Sequence, residues 1–234
     1  MCMKMFLRKK MNHLTGRIAL LAGFCWLGLS AHAAGGHHAV DDAAMLELGK
    51  CKLEGWSERE TGGTRTLHHL GAGCRVGPIE LGLNLDKEKQ TSSDAATSFG
   101  PQIKWAFPLN DVLSVGVAAS AKFNSHSPHY ASSSVVFPLS WRATDTLSAH
   151  VNWGRNFLRD GAGQPRGGMS LEWAPISTVS LLAERFREAA KNSTRLGARY
   201  ALTPDVKLDI SRARSLHAGG VSWWTAGVIW EFDR

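Results

Sequence analysis

Eight charged residues fall where alternation along the chain places them on a polar face: Lys104, Lys122, Glu172, Glu184, Arg195, Arg199, Asp209 and Glu231. Charges of both signs gathered on one enclosed face have two uses. They form a plug of ion pairs, or they line a constriction whose fixed charges sort permeating ions. The mixed signs argue against strong selectivity. A second group is Ser148, His150 and Asn152, spaced at i ± 2. A hydroxyl, an imidazole and an amide are the types of a nucleophile, a base and an orienting group. On a strand, residues two apart are separated by about 7 Å, too far for a nucleophile–base hydrogen bond. A third group, His37, His38, Asp41 and Asp42, carries metal-capable side chains. A chain starting at Gly35 would present Gly35-Gly36-His37, a tripeptide suited to square-planar copper or nickel. No P-loop, no G-x-S-x-G and no zinc-spaced Cys/His set is present, so neither a cofactor nor an enzymatic reaction is implied.

The elements that hold these residues are strands. Over 78–88, Ile79, Leu81, Leu83 and Leu85 take one face, and Glu80, Gly82, Asn84 and Asp86 the other. Period-two alternation puts one face in an apolar medium and the other against polar surroundings. The pattern repeats over 98–107, 112–123, 130–141, 147–157, 167–174, 194–202, 206–213 and 221–232. It is weaker over 178–187, where Leu182 and Phe186 interrupt the polar face. Gly62-Gly63 is a two-residue hairpin signal. Pairing about it sets Cys51 opposite Cys74 and Glu60 opposite Arg65, so a disulfide and an ion pair agree on one register. That register makes the cysteine pair hydrogen-bonded, hence wide, with Gly71 or Gly73 available for a relieving bulge. The sum is twelve strands. Short connections at 77–78, 109–111, 142–146, 175–178 and 203–205 are set against longer ones at 90–97, 124–129, 158–166, 188–193 and 214–220.

Ahead of the strands, Lys4, Arg8, Lys9, Lys10 and Arg17 precede an apolar run from Ile18 to Leu29, closed by Ala31-His32-Ala33. Basic, then apolar, then A-x-A is the pattern of a secretory signal peptide, and the run is too short for a membrane-spanning helix. The expected organisation is a signal peptide over 1–33, a mobile periplasmic lead-in over 34–45 and a barrel over 46–234. The apolar run continues past Cys25, which speaks against a lipoprotein acceptor there. The full chain has a formal charge of +7; without residues 1–33 it keeps 22 basic against 20 acidic residues. That removes most of the case for nucleic acid, since counterion-release binding needs clustered cations. Cys51 and Cys74 are left as two cysteines in an exported chain, which read as a disulfide.

Three features put the apolar face in lipid. The polar face is mostly Gly, Ser, Ala, Asn and Thr, whereas a soluble exterior carries about a quarter to a third charged residues. Aromatics of the apolar face, Phe107, Trp141, Trp173, Tyr200, Trp230 and Phe232, gather at the short-turn ends, as an interfacial girdle does. Strand lengths bracket the roughly 9–11 residues that a tilted strand needs to cross a bilayer.

On these residues the region from Leu46 to Arg234 resembles bacterial outer-membrane β-barrel proteins, and its last strand resembles their C-terminal assembly signal, with alternating aromatics ending at Phe232. It departs from that signal by carrying Asp233 and Arg234 beyond the phenylalanine. The resemblance implies an all-β, antiparallel, up-and-down transmembrane barrel in the outer membrane. Its implied partners are outer-membrane lipid, the barrel assembly machinery and small solutes, with no nucleic acid. A porin-like passive channel is the expected function. A closed barrel with a ligand- or metal-binding or lipid-directed enzymatic role, and a soluble periplasmic β-protein, are the alternatives. Ser148, His150 and Asn152 match the residue types of a twelve-stranded membrane phospholipase, but they face the lumen, away from the lipid such an enzyme must reach. Mass spectrometry of the purified protein is expected to give a chain beginning at Ala34; a retained Met1 or a lipid on Cys25 would overturn the export argument.

Overall fold

The computed structural model describes residues 37–127 and 129–234; the signal-peptide reading and the Ala34 start lie outside the described residues. Twelve antiparallel strands follow in chain order: β1 (Lys50–Glu60), β2 (Arg65–Val76), β3 (Ile79–Gln90), β4 (Ser93–Pro108), β5 (Leu113–Asn124), β6 (Tyr130–Arg142), β7 (Leu147–Leu158), β8 (Gly163–Ile176), β9 (Val179–Glu188), β10 (Lys191–Ala201), β11 (Val206–Ser215) and β12 (Ser222–Asp233). Each pairs with its neighbours in sequence, and β1 pairs with β12, so the sheet closes into a barrel. At the seam, Lys50 lies opposite Asp233 with an ion pair of 3.0 Å, and Arg234 N–H donates to the Gly49 carbonyl. The residues beyond Phe232 therefore fasten the closure.

Alternation is inside-out relative to a soluble protein. Leu81, Leu83 and Leu85 of β3, Ile103 and Trp105 of β4, and Met169, Leu171 and Trp173 of β8 are exposed on the outer surface. Glu80, Lys104, Glu172, Arg199 and Asp209 are buried inside. A continuous apolar exterior is unstable in water and stable in hydrocarbon, where the closed ladder also leaves no backbone group unpaired. The expected girdle of Phe107, Trp141, Trp173, Tyr200, Trp230 and Phe232 ends the apolar surface at one rim. A second outward set, Phe99, Phe123, Tyr130, Phe157 and Trp224, stands nearer the other rim. In β9, Leu182 and Phe186 point inward and are buried, which explains its irregular pattern; the Arg195 guanidinium lies over the Phe186 ring at 5.2 Å.

Three expectations about connections need correction. The longer connections are shorter than read, because strands continue past the apolar belt. β3 and β4 are joined by residues 91–92, β7 and β8 by 159–162, and β9 and β10 by 189–190. Once a strand leaves the apolar layer, neither face demands apolar residues, so alternation fades while the ladder persists. The β9–β10 turn carries no glycine or asparagine to announce it: Ala189 and Ala190 adopt φ of +46° and +61°. The first hairpin keeps its predicted register but turns through four residues, Thr61 to Thr64. The cysteine pair is accordingly narrow, with a Cα–Cα distance of 4.0 Å, and the β1–β2 ladder runs without a bulge. Arg65 pairs with Glu58 and Glu88 rather than with Glu60, which accepts from the Thr64 hydroxyl instead.

The largest correction concerns the lead-in. Its described part does not hang in the periplasm. His37, Val40, Asp42, Ala43 and Leu46 are buried inside the barrel, and the chain reaches β1 at the short-turn rim. A run without periodicity is what a segment needs when polar wall surrounds it on all sides.

The Cys51–Cys74 bond faces outward, with Phe232 opposite Cys51 and Leu81 opposite Cys74. In the chain-entropy model it stabilises the barrel by about 3 kcal/mol, and thiol titration of the folded, unreduced protein is expected to find neither cysteine free. Leu171→Arg on the outer face is expected to cost roughly 2–4 kcal/mol in bilayers, and Ser120→Arg on the inner face less. Equal penalties in denaturant unfolding would contradict the assignment of faces.

Candidate functional site

Among the described residues charge is concentrated in the interior, on buried groups, and the register explains how it is built. Arg195 and Arg199 lie four apart on β10, so both point inward. Arg195 is directly opposite Glu184 on β9, and Arg199 directly opposite Asp209 on β11. The first pair closes at 2.9 Å. The second is two-pronged, with Nε–Oδ1 at 2.7 Å and Nη2–Oδ2 at 3.2 Å. Lys207 meets Glu231 at 2.6 Å, and Lys122, near the far rim, meets Asp86 at 2.9 Å. All eight charges singled out in the sequence point inward. They do not form one ring; they are distributed between partners around the wall.

Many of these groups hold the lead-in. Arg195 Nη1 donates to the His37 carbonyl, and His37 Nε2 lies 2.6 Å from Ser211 Oγ. Burial, with added repulsion from His38 and Arg195, pushes the His37 imidazole down to about 2, so it is neutral. The backbone N–H groups of Ala39 and Val40 donate to the two oxygens of Glu184 at 3.3 and 3.1 Å. With its amide oriented to suit, Asn152 brackets the Asp41 peptide at 2.6 and 2.8 Å. Asp42 meets Lys104 at 3.0 Å. Ala43 N–H donates to Ser140 Oγ, Leu46 N–H donates to Glu80, and Arg75 donates to the Leu46 carbonyl. Wall side chains take up much of the backbone of this non-strand segment, and Ala44 N–H donates to Asp42 within it, as burial of such a segment requires.

The metal-capable residues are used separately. His37 and His38 have ring centroids 4.5 Å apart, His38 lies beside Glu184, and Asp42 is engaged with Lys104. Among the described residues no group of three or more His, Cys, Asp or Glu is placed to hold a metal. His150 does not meet Ser148. Its Nδ1 lies 2.7 Å from Ser140 Oγ across the β6–β7 ladder, and its Nε2 lies 3.9 Å from Glu172. Hydroxyl, imidazole and carboxylate are thus in order. However, the hydroxyl also accepts from Ala43, and the last separation exceeds a hydrogen bond. The set supports the lead-in.

On the other side of the lead-in, a cavity of about 150 Å³ separates it from the wall of β1–β4 and β12. Asp41, Lys52, Glu54, Glu80, Lys104 and Glu231 supply its charge, and Trp56 stacks on His69 with centroids 4.6 Å apart. Lys52 lies 3.4 Å from Glu54 and 3.6 Å from Glu80, while His69 Nδ1 lies 2.6 Å from Asp86. Several waters or a small polar solute fit this volume. Lys52, Glu54, Trp56, His69 and Glu80 were missed as site residues. For β1 the signal is present as charge at alternate positions, Lys50, Lys52, Glu54, Glu58 and Glu60, interrupted by Trp56, but the facing positions Cys51, Gly55, Ser57 and Arg59 are too small or polar to announce an apolar face.

A family model described as "Uncharacterised conserved protein UCP029691" matches residues 23–232. No curated protein matches the chain. The KdgM porin superposes with a TM-score of 0.64 at 11% identity, over 77% of this chain and 99% of that one. The NanC porin gives 0.61 at 12% identity, over 76% and 98%. An outer membrane channel from Pseudomonas putida F1 gives 0.57 at 9% identity, over 82% and 98%. The chain thus has the fold of outer-membrane porins.

Glu184→Gln removes the partner of Arg195 and weakens the acceptor of two lead-in N–H groups. Breaking a buried pair from one side costs about 3–5 kcal/mol. Thermal unfolding of the E184Q barrel is expected to show a clear loss, and an unchanged midpoint would mean that the lead-in is not clamped there.

Proposed function

The chain belongs to the family described as uncharacterised conserved protein UCP029691, and from its porin fold and polar interior we propose that it is an outer-membrane channel for passive movement of small polar solutes, narrowed by its own lead-in segment. The carrying observation is the cavity of about 150 Å³ between that segment and the β1–β4 wall, lined by charges of both signs. A space of this volume admits a small solute and excludes folded polymers. Mixed lining charge attracts ions without committing to one sign. Export through residues 1–33, insertion by the barrel assembly machinery and residence in outer-membrane lipid belong to the same proposal, supported by the apolar exterior and the aromatic-rich last strand.

The clamped lead-in favours a second reading, a closed barrel, and one measurement separates the two. In planar bilayers the wild type is expected to conduct weakly, and a chain lacking residues 37–45 to conduct more. A protein that inserts yet stays silent both with and without those residues would sink the channel reading and leave the closed barrel standing.

A further inference from the structure

Among the described strand residues the outward face gathers its charge near one rim, and on β9–β11 that charge is basic. Arg185 and Arg187 of β9 and Arg212 and Arg214 of β11 share the outward face with Met169, Leu196 and Ile210. All four are exposed, and each lies within three residues of the strand end opposite the short-turn rim. Between them, β10 presents Thr194, directly opposite both Arg185 and Arg214, and Asn192, opposite Arg187. Arg59 of β1, Arg155 of β7 and Lys87 and Lys89 of β3 stand exposed at the same level. On β9–β11 the outward face carries no acid, since Glu184, Glu188 and Asp209 have the alternation parity of the interior; Asp94 of β4, exposed at the β3–β4 bulge, lies far from these strands. None of the eight cations makes an ion pair among the described residues. Arg212 lies over the Trp224 ring at 5.4 Å, at the edge of the apolar belt. The short-turn rim shows aromatics at the same height and no outward charge.

We infer that this belt, centred on β9–β11, binds phosphate groups of the lipid leaflet on that side. Four guanidiniums without an acid repel one another unless an anion sits among them. Arg185 and Arg214 flank Thr194 across three strands, about 10 Å apart at the backbone, a span that long side chains close around one phosphate. Guanidinium forks suit phosphate oxygens, and the hydroxyl and amide of β10 add donors. The belt sits directly above the apolar surface, so its height is that of headgroups, where each basic residue adds attraction to anionic lipid.

The inference rests on the membrane reading, and the experiment separates the two. The full barrel is reconstituted in phosphatidylcholine bilayers, with protease protection reporting insertion. Lipid A carrying two phosphates, or its dephosphorylated form, is then added, and retained lipid is counted by native mass spectrometry. Wild type is expected to retain the phosphorylated form at least about tenfold better. The variant R185Q/R187Q/R212Q/R214Q is expected to insert and lose that preference, and replacement of the same four by Lys to keep part of it. Insertion with equal retention of the two lipids overturns the inference alone. Displacement of lipid A by millimolar inorganic phosphate also overturns it, because the belt would then read a free ion. Failure of wild type to insert overturns the membrane reading and this inference with it.

Discussion

Pairing of Lys50–Glu60 with Ser222–Asp233 is the interaction on which the rest of the structure depends. In hydrocarbon an unpaired backbone group costs several kcal/mol. A sheet with two free edges therefore has no place there, and a closed one does. Closure also creates an interior. Without the β1–β12 seam, Arg199, Asp209 and Glu184 would face bulk water on an open sheet. With it they are buried, and every charge needs a counter-charge or a hydrogen bond.

That demand shapes the lumen. Arg199 and Asp209 meet it within the wall, because the register sets them face to face. Arg195 and Glu184 meet it partly through the His37–Val40 backbone. The lead-in and the wall thus satisfy each other. The lead-in gains partners for peptide groups that no strand neighbours, and the wall gains a filling that excludes bulk water from its ion pairs. On the β1–β4 side, Lys52 is shared between Glu54 and Glu80, and space is left beside the segment. The same construction that fills the barrel leaves a cavity along one side of it.

The two rims solve different problems. At the short-turn rim the chain enters, the seam is fastened by Lys50 and Asp233, and the outer face ends in half-exposed tryptophans such as Trp141 and Trp230. At the other rim the strands extend beyond the apolar belt, and the outward face changes from aromatic to basic. An aromatic ring tolerates an interface without choosing its charge, whereas an arginine does not.

The barrel follows from the pattern along the chain. Twelve strands, their faces and the Cys51–Cys74 register were legible in the alternation of Leu81 to Leu85 and its repeats, because a lipid-facing surface imposes a strict period of two. The same pattern determines which charges point inward, since Arg195, Arg199, Glu184 and Asp209 follow from parity alone. What fills the interior emerges only from contacts across the closed barrel. Residues 37–46 show no period because their partners, Glu184, Ser140, Asn152 and Glu80, lie on four different strands, and a contact across a lumen leaves no pattern along the chain. The same holds for the turns: Ala189 and Ala190 take left-handed conformations that their residue type does not announce, because the flanking ladder imposes them. Local periodicity records the medium each face meets. Partners brought together by closing the barrel are set by geometry across the sheet, which a linear reading does not contain.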